Sequence, residues 1–199
     1  MLVPVKPFGS AKSRLAAVCS PSEREALARA MLRNVVAAAH GFRIAIVAAA
    51  SAQDVRRFAL THGARFLAEP EGGGLDLAVQ AGVSQLAAVG YERVAVVHGD
   101  LPFATSLEWL ANEPGITIVP DRRGDGTNAL SIPTGVGFRF RYGPGSFERH
   151  CAEARARRIE PRVVVDPEGL SADVDLPEDL DDPSLATFLS SARDGVRQH

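Results

Sequence analysis

The chain is 199 residues long with 46% hydrophobic residues, enough apolar material for one substantial core that needs no disulfide or metal to hold it. A formal net charge of -2 provides no global field for nucleic acid or an acidic membrane surface, so any anion has to be gripped locally. Cys19 and Cys151 stand far apart and outside any metal-ligand spacing, which fits free thiols in a reducing cytosol better than a disulfide-stapled secreted fold.

Met1 to Val5 reads as a first strand. Pro21 to Ala39 reads as a helix, with Ser20 as its cap, Pro21 at the first helical position and Glu23 as the capping-box acid. Its apolar face includes Leu27, Met31 and Val35. Arg43 to Ala49 is expected as a second strand, Ala52 to His62 as a helix stopped by Gly63, and Arg65 to Leu67 as a short third strand. Leu75 to Gly90, after three glycines, has the length and Ala/Leu content of a helix, and Arg93 to His98 is an apolar strand expected near the sheet centre. Ile116 to Pro120 and Ala129 to Ile132 flank a polar loop as strands, Ser146 to Arg158 is a helix, Val163 to Val165 a strand, and Pro177 to Leu180 a short helix. The alternation of apolar strands with helical stretches is that of a three-layer α/β domain around a mostly parallel sheet. No repeat or linker splits the chain, so residues 1 to 199 are expected to form one domain, with the tail after about residue 183 peripheral. The amino terminus lacks a signal-peptide pattern and no segment approaches transmembrane length, so a cytoplasmic protein with no membrane or nucleic-acid partner is expected.

In such a sheet ligands sit beyond the carboxyl ends of the strands, and that is where the unusual residues fall. The loop after the first strand places Lys6, Lys12 and Arg14 in flexible backbone, where a phosphate chain would be satisfied, although it has neither the P-loop spacing nor a dinucleotide fingerprint. Asp100 follows the central apolar strand and calls for a compensating cation, water or metal unless it merely caps the segment from Leu101-Pro102. Asp173 and Asp175 alternate in an extended stretch and so share a face; with Asp100, one of them would make a two-carboxylate magnesium site of the kind used in phosphoryl chemistry, unless they only lead into a solvated helix start whose acidic first turn is Pro177-Glu178-Asp179. Two glycine-rich segments, residues 120 to 128 with Thr127 and residues 142 to 147 with Gly143 and Ser146, suit an anion or substrate cradle.

These segments together resemble the guanylyltransferases of deazaflavin (coenzyme F-420) biosynthesis, which act on 2-phospho-L-lactate or phosphoenolpyruvate. The resemblance rests on Val3-Pro4-Val5-Lys6-Pro7 with Ala11-Lys12-Ser13-Arg14-Leu15, on Gly99-Asp100-Leu101-Pro102, on Gly124-Asp125-Gly126-Thr127-Asn128, on Gly143-Pro144-Gly145-Ser146-Phe147 and on Asp173-Val174-Asp175 with Pro177-Glu178-Asp179. It implies a glycosyltransferase-A-like nucleotidyltransferase fold and in-line attack of an acceptor phosphate on the α-phosphorus of GTP, with pyrophosphate leaving. Lys12, Arg14 and Asp100 would serve catalysis, Pro4, Lys6, Lys12, Arg14, Gly74, Asp76 and Asp100 the nucleotide, and Thr127, Gly143 and Ser146 the phosphorylated acid. Magnesium would lie on Asp100 with Asp175 or Asp173, Asp175 being favoured. Asp76 stands where the family carries asparagine, which leaves the base preference open, and the acceptor is phosphoenolpyruvate, 2-phospho-L-lactate or 3-phosphoglycerate, with phosphoenolpyruvate preferred. A homodimer is compatible with this reading. The competing readings are a nucleotidyltransferase of the same fold with another base or acceptor, a glycosyltransferase of that fold, against which Asp100 stands without the Asp-x-Asp pair such enzymes usually carry beside the central strand, and a non-catalytic nucleotide-binding protein.

Overall fold

The computed structural model describes residues 1–165 and 169–196 of the chain; the last three residues of the tail lie outside them. Seven strands form one sheet in the order β3-β2-β1-β4-β6-β5-β7, with β1 Leu2–Pro4, β2 Ala45–Ala48, β3 Arg65–Ala68, β4 Arg93–Val97, β5 Thr117–Pro120, β6 Thr127–Pro133 and β7 Arg162–Val163. β4 is the middle strand, as its apolar run predicts. All pairings are parallel except those of β6, which runs antiparallel to β4 and β5. The six residues between β5 and β6 are too few for a parallel crossover, so the chain turns back as a hairpin.

Successive side chains of each strand leave opposite faces, and the core divides accordingly. Val3, Ile46, Ala48, Ala95, Val97 and Val119 pack under helices α1 (Pro21–Ala38) and α2 (Gln53–Thr61). Leu2, Ala45, Val47, Val94, Val96 and Ile118 pack under α3 (Leu75–Ala88) and α5 (Ser146–Ala156). The result is the expected three-layer α/β arrangement. The Ser20–Glu23 capping box starts α1: the Ser20 side chain accepts from the Glu23 amide, and Glu23 Oε2 accepts from the Ser20 amide at 2.8 Å. Gly63, the expected stop of α2, and Gly90, read as the end of the third helix but lying just past α3, adopt φ of +68° and +93°, the left-handed region that ends helices. Gly82 lets α3 settle onto β1, since a Cβ there would lie 2.8 Å from a Leu2 methyl.

β1, β2, β4 and β5 are shorter than their apolar runs suggest, at the amino end, the carboxyl end or both, whereas β3 runs one residue further than expected and β6 extends beyond its run at both ends. Two helices lie outside the expected set. α4 (Trp109–Asn112) is one turn, too short to show a period. α6 (Pro183–Val196) follows Pro183 in the tail, and its Leu185 is buried against Leu15, Leu27, Met31 and Val174, extending the apolar face of α1. Cys19 and Cys151 are free thiols. Among the described residues no helix is long and apolar enough to cross a membrane.

Candidate active site

After β1 the chain passes to β2 on one side, and β4 flanks β1 on the other. This switch point opens a crevice at the carboxyl ends, and a cavity of about 450 Å³ lies there. It is lined by Pro4, Lys6, Lys12 and Arg14 after β1, Gly74 before α3, His98 and Asp100 after β4, and Asp175. Seven sequence-predicted site residues therefore meet around one space.

The basic loop is held by a buried aromatic. Phe8 is 1% exposed, its amide donates to Asp54 Oδ2 of α2 at 3.0 Å, its ring lies edge-on to Phe58, and the Arg29 guanidinium sits 4.1 Å over it. With that anchor fixed, Lys12 adopts φ +54°, ψ +39°, a left-handed conformation costing a side-chain-bearing residue roughly 1–2 kcal/mol. Its Nζ lies 2.6 Å from Asp100 Oδ2 and 2.8 Å from Asp175 Oδ1. Lys6 is exposed and Arg14 is 65% exposed, touching Asp175 Oδ2 at 3.4 Å through Nη1. Lys6 and Arg14 thus face incoming anions while Lys12 is committed to carboxylates.

Asp100 is not a helix cap, since no helix begins at Leu101–Pro102. Burial pushes its carboxyl up, but the Lys12 ammonium and His98 outweigh this and hold it below the usual carboxylate range. Burial likewise opposes charge on Lys12, and the two aspartates overcome it, so the ammonium persists. Asp173 is raised to about 6 by burial and by the charges of Asp100 and Asp175, and Asn128 Nδ2 donates to it at 3.4 Å. The donor set fits a small divalent cation: Asp100 Oδ1 is buried with no hydrogen-bond partner, and Asp175 converges with Asp100 on one cationic nitrogen. Hard carboxylate oxygens of this kind suit magnesium. Among the described residues no three His, Cys, Asp or Glu side chains converge as a metal cage, so waters and ligand oxygens would complete the coordination.

The remaining predicted residues form a second cluster beside the cavity. Gly143 and Gly145 adopt φ of +92° and +71°, and the two glycine loops bind each other: Asp125 Oδ1 accepts from the Gly145 amide at 2.9 Å and the Phe147 amide donates to the Asp125 carbonyl at 3.0 Å. Arg149 on α5 donates to the carbonyls of Arg141, Tyr142, Gly143 and Pro144. Thr127 and Ser146 are buried, and Ser146 Oγ donates to Thr127 Oγ1 at 3.4 Å. Asp76 does not line the cavity; its Oδ1 accepts from the Tyr142 amide at 2.6 Å, so this carboxylate fixes the second loop.

Three contributors escape the sequence reading. Asp179 reads there as one acid of a helix's first turn, yet it is 2% exposed, and its Oδ2 accepts the amides of Asp175 and Leu176 at 2.7 Å. His98 joins the two clusters, its ring 5.2 Å from that of Tyr142. His150, fully buried on α5, accepts from the Arg141 amide through Nε2 at 3.0 Å, which leaves Nδ1–H to donate to Thr127 Oγ1 at 3.0 Å. The signal for His150 was its place on the buried face of a helix running out of the Gly143–Gly145 loop.

Burial, with Arg149 and His98 nearby, lowers His150 from 6.5 to about 4. Above pH 6.5 both folded and unfolded forms are neutral, so it adds no pH dependence there. Between pH 6.5 and about 4 only the unfolded chain takes up the proton, so the contribution of His150 to stability should fall by about 3 kcal/mol across that interval. Asp173, raised to about 6, acts in the opposite sense because the folded form takes up its proton first, so the His150 part is read as the difference between wild type and His150→Gln in denaturant unfolding at pH 7.5 and 4.5.

The family model for guanylyl transferase CofC-like proteins matches residues 1–187 of this chain. The phosphoenolpyruvate guanylyltransferase of Sphaerobacter thermophilus is 35% identical over 188 residues, covering 91% of this chain and 90% of the relative. The 2-phospho-L-lactate guanylyltransferase of Methanothermobacter thermautotrophicus is 33% identical, covering 99% and 89%. The 3-phospho-D-glycerate guanylyltransferase of Phenylobacterium zucineum is 33% identical, covering 85% and 82%. Among solved structures, a nucleotidyl transferase of Methanothermobacter thermautotrophicus superposes with a TM-score of 0.65 at 14% identity, covering 96% and 99%. At that identity it supports the nucleotidyltransferase fold alone.

Proposed function

The chain belongs to the CofC-like guanylyl transferase family, and from that premise we propose that it transfers GMP from GTP to phosphoenolpyruvate or a close phosphorylated acid, releasing pyrophosphate, in coenzyme F-420 biosynthesis. The observation that carries this reading is one cavity in which exposed Lys6 and Arg14 face the converging carboxylates of Asp100 and Asp175. Cations hold the triphosphate, and carboxylates hold the ion that neutralises it.

Each residue then has a task that its placement supports. The reacting oxygen belongs to a phosphate already ionised near neutral pH, so no side chain has to serve as nucleophile or strong base. Catalysis reduces to placing that oxygen in line with the α-phosphorus and stabilising charge on the leaving pyrophosphate. Lys6 and Arg14 receive the phosphates from the β1 side, and the glycine-rich approach at Gly74 allows backbone contact before α3. Magnesium held by Asp100 and Asp175 would supply Lewis-acid polarisation of the phosphoryl oxygens. The Gly143–Ser146 loop, braced by Arg149 and Asp125, shapes the seat for the acid at the amino end of α5, with the Gly145, Ser146 and Phe147 amides spent on holding the loop itself. Asp173, to which Asn128 donates, is the alternative to Asp175 as the partner carboxylate of Asp100.

The acceptor screen is the direct test. Pyrophosphate release from GTP should require an added acid and follow phosphoenolpyruvate ahead of 2-phospho-L-lactate and 3-phosphoglycerate; replacing GTP by ATP, CTP or UTP should lower the rate at least ten-fold. Release with no acceptor present, or no release with any of the three acids and any nucleotide, would refute the assignment.

A further inference from the structure

Lys12 stands apart from the other cations of the loop. Its side chain is only 7% exposed, its backbone is held left-handed, and its ammonium bridges both carboxylates that the proposed reaction needs. Strained conformations of this kind persist where surrounding contacts impose them and concentrate at functional sites. We propose that Lys12 is a resident counter-ion. In the substrate-free protein it occupies the interaction that a divalent cation would make with Asp100 and Asp175, so the metal enters only together with nucleotide phosphates, onto which the displaced ammonium moves. The inference rests on the proposed function, since it presumes a metal on these two aspartates.

Charge balance is the physical argument. Two carboxylates this close repel unless a cation lies between them, and Lys12 already provides it. A free divalent ion must then enter beside a buried positive charge with nowhere to discharge it. When the ion arrives bound to a triphosphate, the phosphates supply anionic oxygens in the same cavity that Lys12 lines with Lys6 and Arg14. The ammonium exchanges one set of anionic oxygens for another and is never left unpaired. Asp179 holds the backbone of Asp175 throughout, so the exchange needs only side-chain movement of Lys12.

Manganese serves as the probe, with free ion measured by electron paramagnetic resonance during titration of the wild-type protein, Lys12→Gln, Lys12→Arg and Lys12→Gln/Asp100→Asn. Lys12→Gln should bind Mn²⁺ alone at least ten-fold more tightly than wild type, Lys12→Arg should remain as weak as wild type, and the double variant should lose the gain. In the wild-type protein, Mn²⁺ alone should leave the melting temperature unchanged, whereas Mn²⁺ with GTP should raise it; this comparison needs no variant to fold. Equal Mn²⁺ affinity in wild type and Lys12→Gln, or tight binding by the wild type without GTP, overturns the counter-ion role. If GTP with Mn²⁺ still binds in that case, the proposed function is untouched. Absence of Mn²⁺ binding in every protein with or without GTP overturns both, and tight binding by Lys12→Gln without guanylyl transfer by the wild type overturns the proposed function alone.

Discussion

Asp100→Ala is expected to lower guanylyl transfer by about 10³-fold while leaving the fold in place, the loss corresponding to about 4 kcal/mol of transition-state stabilisation. Asp100 contributes nothing to the apolar core that a methyl group would disrupt, and its Oδ1 is already a buried acceptor without a donor. Lys12 retains Asp175 at 2.8 Å when Asp100 is gone, so its ammonium is not orphaned and the folding cost should stay under about 2 kcal/mol. Asp100→Asn separates shape from charge: it keeps the volume and an acceptor oxygen, and should be nearly as inactive as alanine, because the missing property is the negative charge. Pyrophosphate release under saturating GTP and acceptor, read beside circular dichroism of the same preparations, measures both halves. A variant that folds and turns over at the wild-type rate removes Asp100 from the chemistry.

The sheet and its order of elements were legible because the apolar runs alternate with capped, Gly-stopped helices. Ser20 with Glu23, and Gly63, each do in the structure what their chemistry predicts. The convergence of Lys6, Lys12, Arg14 and Asp100 was legible because they follow β1 and β4 at the carboxyl ends, whereas Asp175 is singled out by its alternation with Asp173 and by the family resemblance. Which side chain meets which was not. A strand-end position says that a residue reaches the crevice, yet Lys12 points at two carboxylates because a left-handed backbone aims it there, and Asp76 points at the Tyr142 amide. Thr127 and Ser146 are similar cases: their hydroxyls bond each other, and Thr127 also bonds His150, partners of Thr127 about twenty positions away that no local pattern reveals. α6 is a packing element that the sequence reading misses although a signal is there: Leu185, Phe188 and Leu189 stand at helical spacing and pack on the cluster of Leu15, Leu27 and Met31.

Asp179 supports the second large prediction. Its Oδ2 receives two backbone amides at 2.7 Å, and its Oδ1 pairs with Arg122 and with Arg123, the latter at 2.8 Å. Backbone donors and two cations hold its carboxyl below the usual range despite burial, which alone would raise it. Asp179→Ala would strip the amides of Asp175 and Leu176 of their acceptor and leave both guanidinium groups without it. Breaking a buried charged network costs about 3–5 kcal/mol, and the partial exposure of the two arginines moves the expected value to about 3 kcal/mol or slightly less. Asp179→Asn keeps an oxygen for the amides and should lose only about 1 kcal/mol. The functional consequence follows from the same hydrogen bonds. With its amide released, Asp175 no longer arrives at a fixed position opposite Asp100, so transfer should fall at least ten-fold in the alanine variant even at temperatures where it is fully folded, and the Mn²⁺ requirement with GTP should rise in parallel. The asparagine variant should restore most of both. A loss of stability without any change in metal requirement would show that Asp179 only holds the fold, whereas parallel loss and rescue identify it as the residue that positions Asp175.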